Sequence, residues 1–401
     1  MKRVSEILMA VLFSVTLFGL MIATILLPKQ RYSYYENRNL SEFPEISPET
    51  ILSGKVFNDL ETMFCDYAAE RTQMLKASTW CDLHLFHRPV INDVVVTDDI
   101  LLPYLQPETV DPAMMEQLAR EVAADNAAVQ ALVESYGGTY CYVAVPCQYA
   151  YHAADYPNYL YNRNAYTQLE LTALTAAMEE QNVNFVDMGQ VFDALGHPAE
   201  FSSAVDNHYG LRGAYETYRS AVNLVNDRSN ASLDFPAEGT DIQFETLPNP
   251  YMGSRTRKLL GLLGNDEHLL TARFTEELPF TRQDNGYDVP SSVYTMPETD
   301  TEPVLYTFYM GGDVAETRLN THRPDKPNAL IFGDSFTNAV ECMAYYSFNE
   351  TRSLDLRHYT EKSLPEYIRD YRPDVVICIR DYESLLSRSA NGNLSEWEGA
   401  K

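Results

Sequence analysis

A hydroxyl, an imidazole and a carboxylate held in line are enough to run acyl transfer. Two stretches of this chain offer those groups. The first is Ala329-Leu330-Ile331-Phe332-Gly333-Asp334-Ser335-Phe336. An apolar, strand-like run ends at Gly333, and residues 338–346 read as the helix that follows. Ser335 therefore stands between a strand and a helix, at the carboxyl edge of a sheet, where ligands of open α/β sheets bind. Backbone N–H groups at such a turn can hold an oxyanion, which makes Gly333 and Asp334 candidates for oxyanion or substrate binding. The competing reading is a plain helix cap, a task Ser and Asp do well. The second stretch is Val205-Asp206-Asn207-His208-Tyr209, followed by Gly210 and Gly213-Ala214-Tyr215. An Asp two residues before a His can fix the imidazole's tautomer and aim its other nitrogen at a hydroxyl. Of eight His, only His208 has such local support. The competing reading is a surface Asp and a loop His satisfied by its neighbours. Taken together, the two stretches supply Ser335 as nucleophile, His208 as general base and acid, and Asp206 as its orienter.

The surrounding pattern is the kind that positions such groups. Residues 113–136 read as a helix ended by Gly137-Gly138, and 139–145 as a buried strand stopped by Pro146. A helix over 164–181, a strand over 183–186 and a helix over 211–225 follow. The alternation returns with strands at 329–332, 353–356 and 375–379 and helices at 338–346 and 364–371. Alternation of this kind predicts a parallel α/β sheet. Between the two blocks, residues 234–321 turn to Pro, Gly, Glu and Thr with short alternating runs, which predicts a β-rich insert or lid. Gln148, in Pro146-Cys147-Gln148, closes a core strand and is expected at the same sheet edge. Ser254 lies in a turn, Asn249 to Arg255, that can approach it. Asp355-Leu356-Arg357-His358 follows a strand and reads as a structural pair at the rim.

Composition sets the compartment and excludes some partners. With 30 basic against 57 acidic residues the net charge is −27, so the chain lacks the basic stripe that nucleic acids require. The 28 Tyr suit sugar-stacking surfaces, although half-buried packing accounts for most tyrosines in any protein. Six Cys include no CxxC pair, which gives no zinc or thioredoxin pattern. No nucleotide-binding loop stands out either, so the reading calls for no cofactor and no metal. Residues 7–27 carry no charge and as a helix would span roughly 30 Å, enough to cross a bilayer. Lys2 and Arg3 precede them and no Ala-x-Ala site follows. This predicts an uncleaved signal anchor with the bulk of the chain outside the cytoplasm. The expected division is 1–30 anchor, 31–90 stalk and N-terminal helix, 91–233 first part of the α/β domain, 234–321 insert, and 322–401 second part.

Gly333-Asp334-Ser335-Phe336 resembles the nucleophile block of the SGNH hydrolases, and Asp206-x-His208 ahead of Gly213-Ala214 resembles their terminal His block. In standard members the Ser block comes first. Here it comes last, like a circular permutation. That order, with Glu36-Asn37-Arg38-Asn39-Leu40 and Phe43-Pro44 near the anchor, resembles the DHHW family, relatives of the alginate O-acetylation proteins. The resemblance implies a three-layer SGNH-hydrolase-like α/β domain and serine chemistry on an envelope or exported polysaccharide. It also implies a multispanning membrane O-acyltransferase as acetyl donor. The chain departs from the family twice. Tyr209 replaces the Trp after the His, and the Gly-x-Asn-Asp block is missing, with Arg380-Asp381-Tyr382 at the expected place. Arg380 is thus a candidate oxyanion or substrate ligand, or equally a helix-start ion pair. Three functions fit: an O-acetyltransferase working through acetyl-Ser335, a carbohydrate O-acetylesterase, or a non-catalytic glycan-binding or assembly protein.

Overall fold

The structure is a computed structural model that describes residues 2–26, 30–229, 232–264 and 266–388. Leu27, the last residue of the expected span, and the tail beyond 388 lie outside them. The chain divides into two units. One comprises Met1–Val94 with Thr256–Leu263, and the other Val95–Arg255 with Gly264–Lys401.

The first unit begins with a helix, Lys2–Leu26. Its stretch Arg3–Leu26 has a window of mean hydropathy 2.4, and none of it is buried. The helix fits a single-pass anchor or a signal. The expected extended stalk is in fact folded by charge. Tyr32–Ser33 pairs with Arg38–Asn39 in a small hairpin. Arg38 grips Asp66 with both guanidinium nitrogens, at 2.9 and 2.5 Å, and Arg71 bridges to Glu36 at 2.7 Å. Asp66 also accepts from the Ser41 N–H at 2.9 Å, and these donors hold its carboxyl well below the usual range against the opposing effect of burial. The Glu36-to-Leu40 motif is therefore a clasp on the helix Lys55–Asp66 rather than a spacer.

The second unit is built on an eight-stranded sheet, and its strands are numbered here along the chain. They are β1 Thr139–Val145, β2 Phe185–Asp187, β3 Thr281–Asp284, β4 Tyr287–Val289, β5 Glu316–Asn320, β6 Ala329–Gly333, β7 Glu350–Asp355 and β8 Val375–Asp381. Their order is β4-β3-β5-β7-β6-β8-β1-β2. From β7 to β2 all neighbours run parallel. β1 and β6 are buried at every position, which is why both read as unbroken apolar runs. Five helices serve the sheet: α1 Pro112–Glu134, α2 Asn164–Glu180, α3 Leu211–Arg228, α4 Thr337–Ala344 and α5 Leu364–Tyr371. The Asp111 carboxylate and Pro112 start α1, and a Ser363/Glu366 capping box starts α5. α1 packs on β1 with α2 and α5 against it, while α3 packs on β1 with α4 beside it. Helices thus form two groups about a parallel-rich sheet, as the alternation predicts.

The strands of the stretch 234–321 belong to two sheets. Ile242–Pro250 and His268–Phe274 do form a hairpin of their own. The strands β3, β4 and β5, however, continue the main sheet, with β5 antiparallel to β7 from Glu316↔Leu354 to Asn320↔Glu350. They cover an edge of β7 that would otherwise expose unpaired N–H and C=O groups.

Gly333 fixes the most crowded point of this sheet. A β-carbon there would lie 1.9 Å from the Ile379 carbonyl oxygen on β8. Backbone cannot yield as a flexible side chain does. Gly333→Ala is expected to destabilise the full-length protein by about 2 kcal/mol or more, read as a lower denaturation midpoint in urea.

Candidate active site

The edge beyond Gly333 is shaped by a buried carboxylate. Asp334 accepts the Phe336 N–H through one oxygen and the Asp381 N–H through the other, each at 2.9 Å. It thereby ties the turn after β6 to the end of β8. Burial, reinforced by the neighbouring Asp381 charge, pushes the Asp334 carboxyl above its ordinary range. Held by this turn, Ser335 is half-buried, and its backbone N–H makes no hydrogen bond within the described protein. The Asn338 N–H of α4 donates to the Ser335 carbonyl at 3.3 Å as the helix begins.

The other half arrives on residues 202–210. The Ser203 N–H donates to the His208 carbonyl at 3.3 Å, and Ser202 pairs with Tyr209 in an isolated bridge, closing the loop. Inside it, one Asp206 oxygen faces His208 Nδ1 at 2.5 Å and accepts the His208 N–H at 3.1 Å. The second oxygen accepts the Ser254 N–H at 2.5 Å. Gly253 permits this approach, because a β-carbon there would meet the Val205 carbonyl oxygen at 2.4 Å. Burial works to raise the Asp206 carboxyl. The imidazole and the N–H donors outweigh it and hold the group well below the usual carboxylate range. With Nδ1 against a carboxylate, that nitrogen carries the proton, and Nε2 is left to accept. His208 Nε2 lies 2.7 Å from Ser335 Oγ. The structure thus brings Ser335, His208 and Asp206 into one hydrogen-bonded line.

The remaining candidates support this line from behind. Gln148 is buried, donates to the Leu101 and Ser203 carbonyls at 3.0 Å each, and accepts from Arg255 Nε at 3.2 Å. The Tyr209 hydroxyl donates to the Phe336 carbonyl, and its ring lies 4.9 Å from the Phe336 ring, so it joins the His loop to the Ser turn. Only 2% exposed, it offers no face to a sugar. The Ser254 hydroxyl reaches Asn207 at 3.1 Å. Arg380, a candidate for the oxyanion or substrate or for a helix-start ion pair, is buried and turns its guanidinium to the Ser384 carbonyl at 2.9 Å. It braces the segment after β8, because a buried guanidinium must spend its donors on nearby acceptors. Asp313, Asp355 and His358 present ligand atoms within 4.8 Å of one another, a spacing that could hold a metal ion. Arg357 already pairs with both carboxylates, at 2.8 and 2.6 Å.

Sequence reasoning passes over two contributors. Tyr306 stacks on the His208 ring, with centroids 3.6 Å apart and planes 2° from parallel. It comes from a short turn, Tyr306–Phe308, inside the expected insert. Nothing in its spacing distinguishes it from the other tyrosines. Glu267 accepts the Ala204 N–H at 2.8 Å, beneath the loop that carries Asp206.

Burial, with the Asp206 charge adding to it, pushes the Glu267 carboxyl up to about 7. The folded protein therefore binds a proton there that the unfolded chain releases near its ordinary value of 4.5. A raised acid of this kind lowers stability as pH rises from about 4.5 through 7. Glu267→Gln removes that titration. Its stability curve is expected to be flatter than wild type over this window, as measured by thermal melts at stepped pH.

No family model matches the chain, and no curated protein does. Solved structures do match. The structure of Bacillus cereus PatB1 is 19% identical with a TM-score of 0.62, covering 75% of this chain and 98% of that one. Its form with a sulfonyl adduct is 18% identical at a TM-score of 0.60, covering 75% and 96%. A DHHW family protein from Eubacterium siraeum is 17% identical at 0.53, covering 74% and 93%. At such identities the likeness is one of fold: this chain has the fold of PatB1 and of a DHHW family protein.

Proposed function

We propose that this chain is an extracytoplasmic serine acyl-transfer enzyme that O-acetylates an envelope or exported polysaccharide. The observation that carries the reading is the 2.7 Å contact between Ser335 Oγ and His208 Nε2, backed by Asp206. His208 takes the Ser335 proton as Oγ attacks the carbonyl carbon of an acetyl ester. The Ser335 N–H, which has no partner within the described protein, faces the developing oxyanion. Collapse expels the donor's alkoxide, which leaves with the proton from His208, and Ser335 is acetylated. A sugar hydroxyl then gives its proton to His208 and attacks the acetyl group, and the tetrahedral intermediate returns Ser335 to its hydroxyl form. Asp206 stays ionised throughout and stabilises the imidazolium.

Three further points support the reading. PatB1, which shares the fold, has been obtained with a sulfonyl adduct. The sequence resembles the DHHW family, with a motif order we read as a circular permutation of the SGNH pattern. The apolar helix Lys2–Leu26 suits an anchor that keeps the enzyme beside a multispanning acyltransferase, the proposed source of acetyl groups.

Exposure to an activated acetyl ester is expected to add one acetyl group to the wild-type chain, seen by intact mass. Ser335→Ala should carry none, and His208→Ala should acquire it at least about 10³-fold more slowly. An adduct discharged only by water would make the protein an esterase. No adduct on a folded chain would leave a glycan-binding protein. Tyr306 gives a second expectation. Stacking of this kind contributes about 1 kcal/mol, so Tyr306→Leu should slow acetylation roughly fivefold, while Tyr306→Phe stays within twofold of wild type.

A further inference from the structure

We infer that the first unit holds a membrane glycerophospholipid in a cleft at the outer end of its apolar helix. The inference rests on that helix crossing the membrane and is independent of the acyl-transfer reading. An open cleft of about 1080 Å³ lies between the helix's last turn and the segments that follow it. Ile25, Phe43, Met63 and Phe64 line its apolar part. Phe43 is 69% exposed and Phe64 55%, although large aromatic side chains are normally covered.

The depth of the cleft follows from one hydrogen bond. The Thr24 hydroxyl accepts the Ala69 N–H at 2.9 Å, fixing the helix's last turn to the helical part of the unit. None of the helix's apolar window is buried in the protein, so in a bilayer its cover is lipid. A span of this length ends at the boundary between acyl chains and headgroups. Phe43 and Phe64, on the same cleft as Ile25, therefore sit at that boundary, where lipid is the available cover. The rim offers the rest of the molecule a match. It carries Arg31 and Glu42, and neither has an ion-pair partner among the described residues. One cation and one anion lining the same cleft complement a phosphate with its attached amine, the headgroup of a zwitterionic phospholipid.

The test uses the full chain in liposomes of phosphatidylethanolamine and phosphatidylglycerol, doped with phosphatidylethanolamine bearing a diazirine in its acyl chain. After irradiation, adducts are mapped by peptide mass spectrometry. Labelling is expected in residues 40–67 as well as in 3–26. The double variant Phe43→Ser/Phe64→Ser should lose at least fivefold of the label in 40–67 and keep that in 3–26. Both side chains are exposed, so acetylation of Ser335 in this variant should be unchanged, separating lipid binding from the catalytic reading. Arg31→Ala should lower labelling by the phospholipid probe at least threefold while sparing a diazirine fatty alcohol. Label confined to 3–26, or label in 40–67 indifferent to the double variant, would overturn the inference. Equal loss of both probes in Arg31→Ala would overturn the headgroup assignment.

Discussion

The site hangs on one buried carboxylate. Asp206 is shut away from water, so its charge persists only because donors converge on it from its own loop and from a turn 48 residues on: His208 with its own N–H, and the Ser254 N–H. Take away either and a buried anion is left under-satisfied, a condition that costs several kcal/mol. The same bonds that keep the charge also keep the imidazole's tautomer. Electrostatic satisfaction and catalytic geometry are therefore one requirement here. Gln148, Tyr209 and Gly253 serve that requirement without touching a substrate. They hold the His loop against β1, the Ser turn and the 249–255 turn.

The serine side is organised by the same kind of device. Asp334 spends both oxygens on backbone N–H groups and so positions the Ser335 turn against β8. A second, half-buried carboxyl, Asp381, stands beside it and caps the Ser384 N–H at 3.0 Å. Two neighbouring acids favour sharing fewer charges, and both carboxyls are raised accordingly, chiefly by burial. Arg380 lies close to this pair and offsets part of its charge. Its guanidinium is committed to structure at the place where the family pattern has an amide donor. In the proposed reaction, oxyanion stabilisation would fall to the Ser335 N–H and to the positive end of α4.

The core of this arrangement is legible in the sequence because its causes are local. An all-apolar run such as 139–145 or 329–333 can only be a strand buried on both faces. Asp-x-His and Gly-Asp-Ser put reactive groups at element ends over two or three residues. Roles that depend on long-range packing are not legible. Arg380 is one residue whether it faces a cleft or a loop carbonyl, and burial decides which. Tyr306 meets His208 across about a hundred residues of sequence, on a turn whose conformation no local signal announces. The strands 281–284, 287–289 and 316–320 are short and polar. Their pairing is dictated by the open edge of β7, which lies outside their own sequence. The 31–48 stretch reads as polar and extended because its charges look solvated; Asp66, the partner that folds it, lies 28 residues beyond Arg38.

Acidity shapes what can reach the serine. A net charge of −27 sets a repulsive field for any polyanion approaching from solution, and the field is screened within about 8 Å at physiological salt. At the edge itself, buried Asp206 and Asp334 and half-buried Asp381 are already satisfied, while Arg357 is neutralised by Asp313 and Asp355. Arg255, which donates to Gln148, is a cation near this edge with no ion pair among the described residues. A neutral or cationic glycan meets no such repulsion on its approach. For the proposed acyl transfer, this net charge favours an acceptor without dense carboxylates over a polyanion.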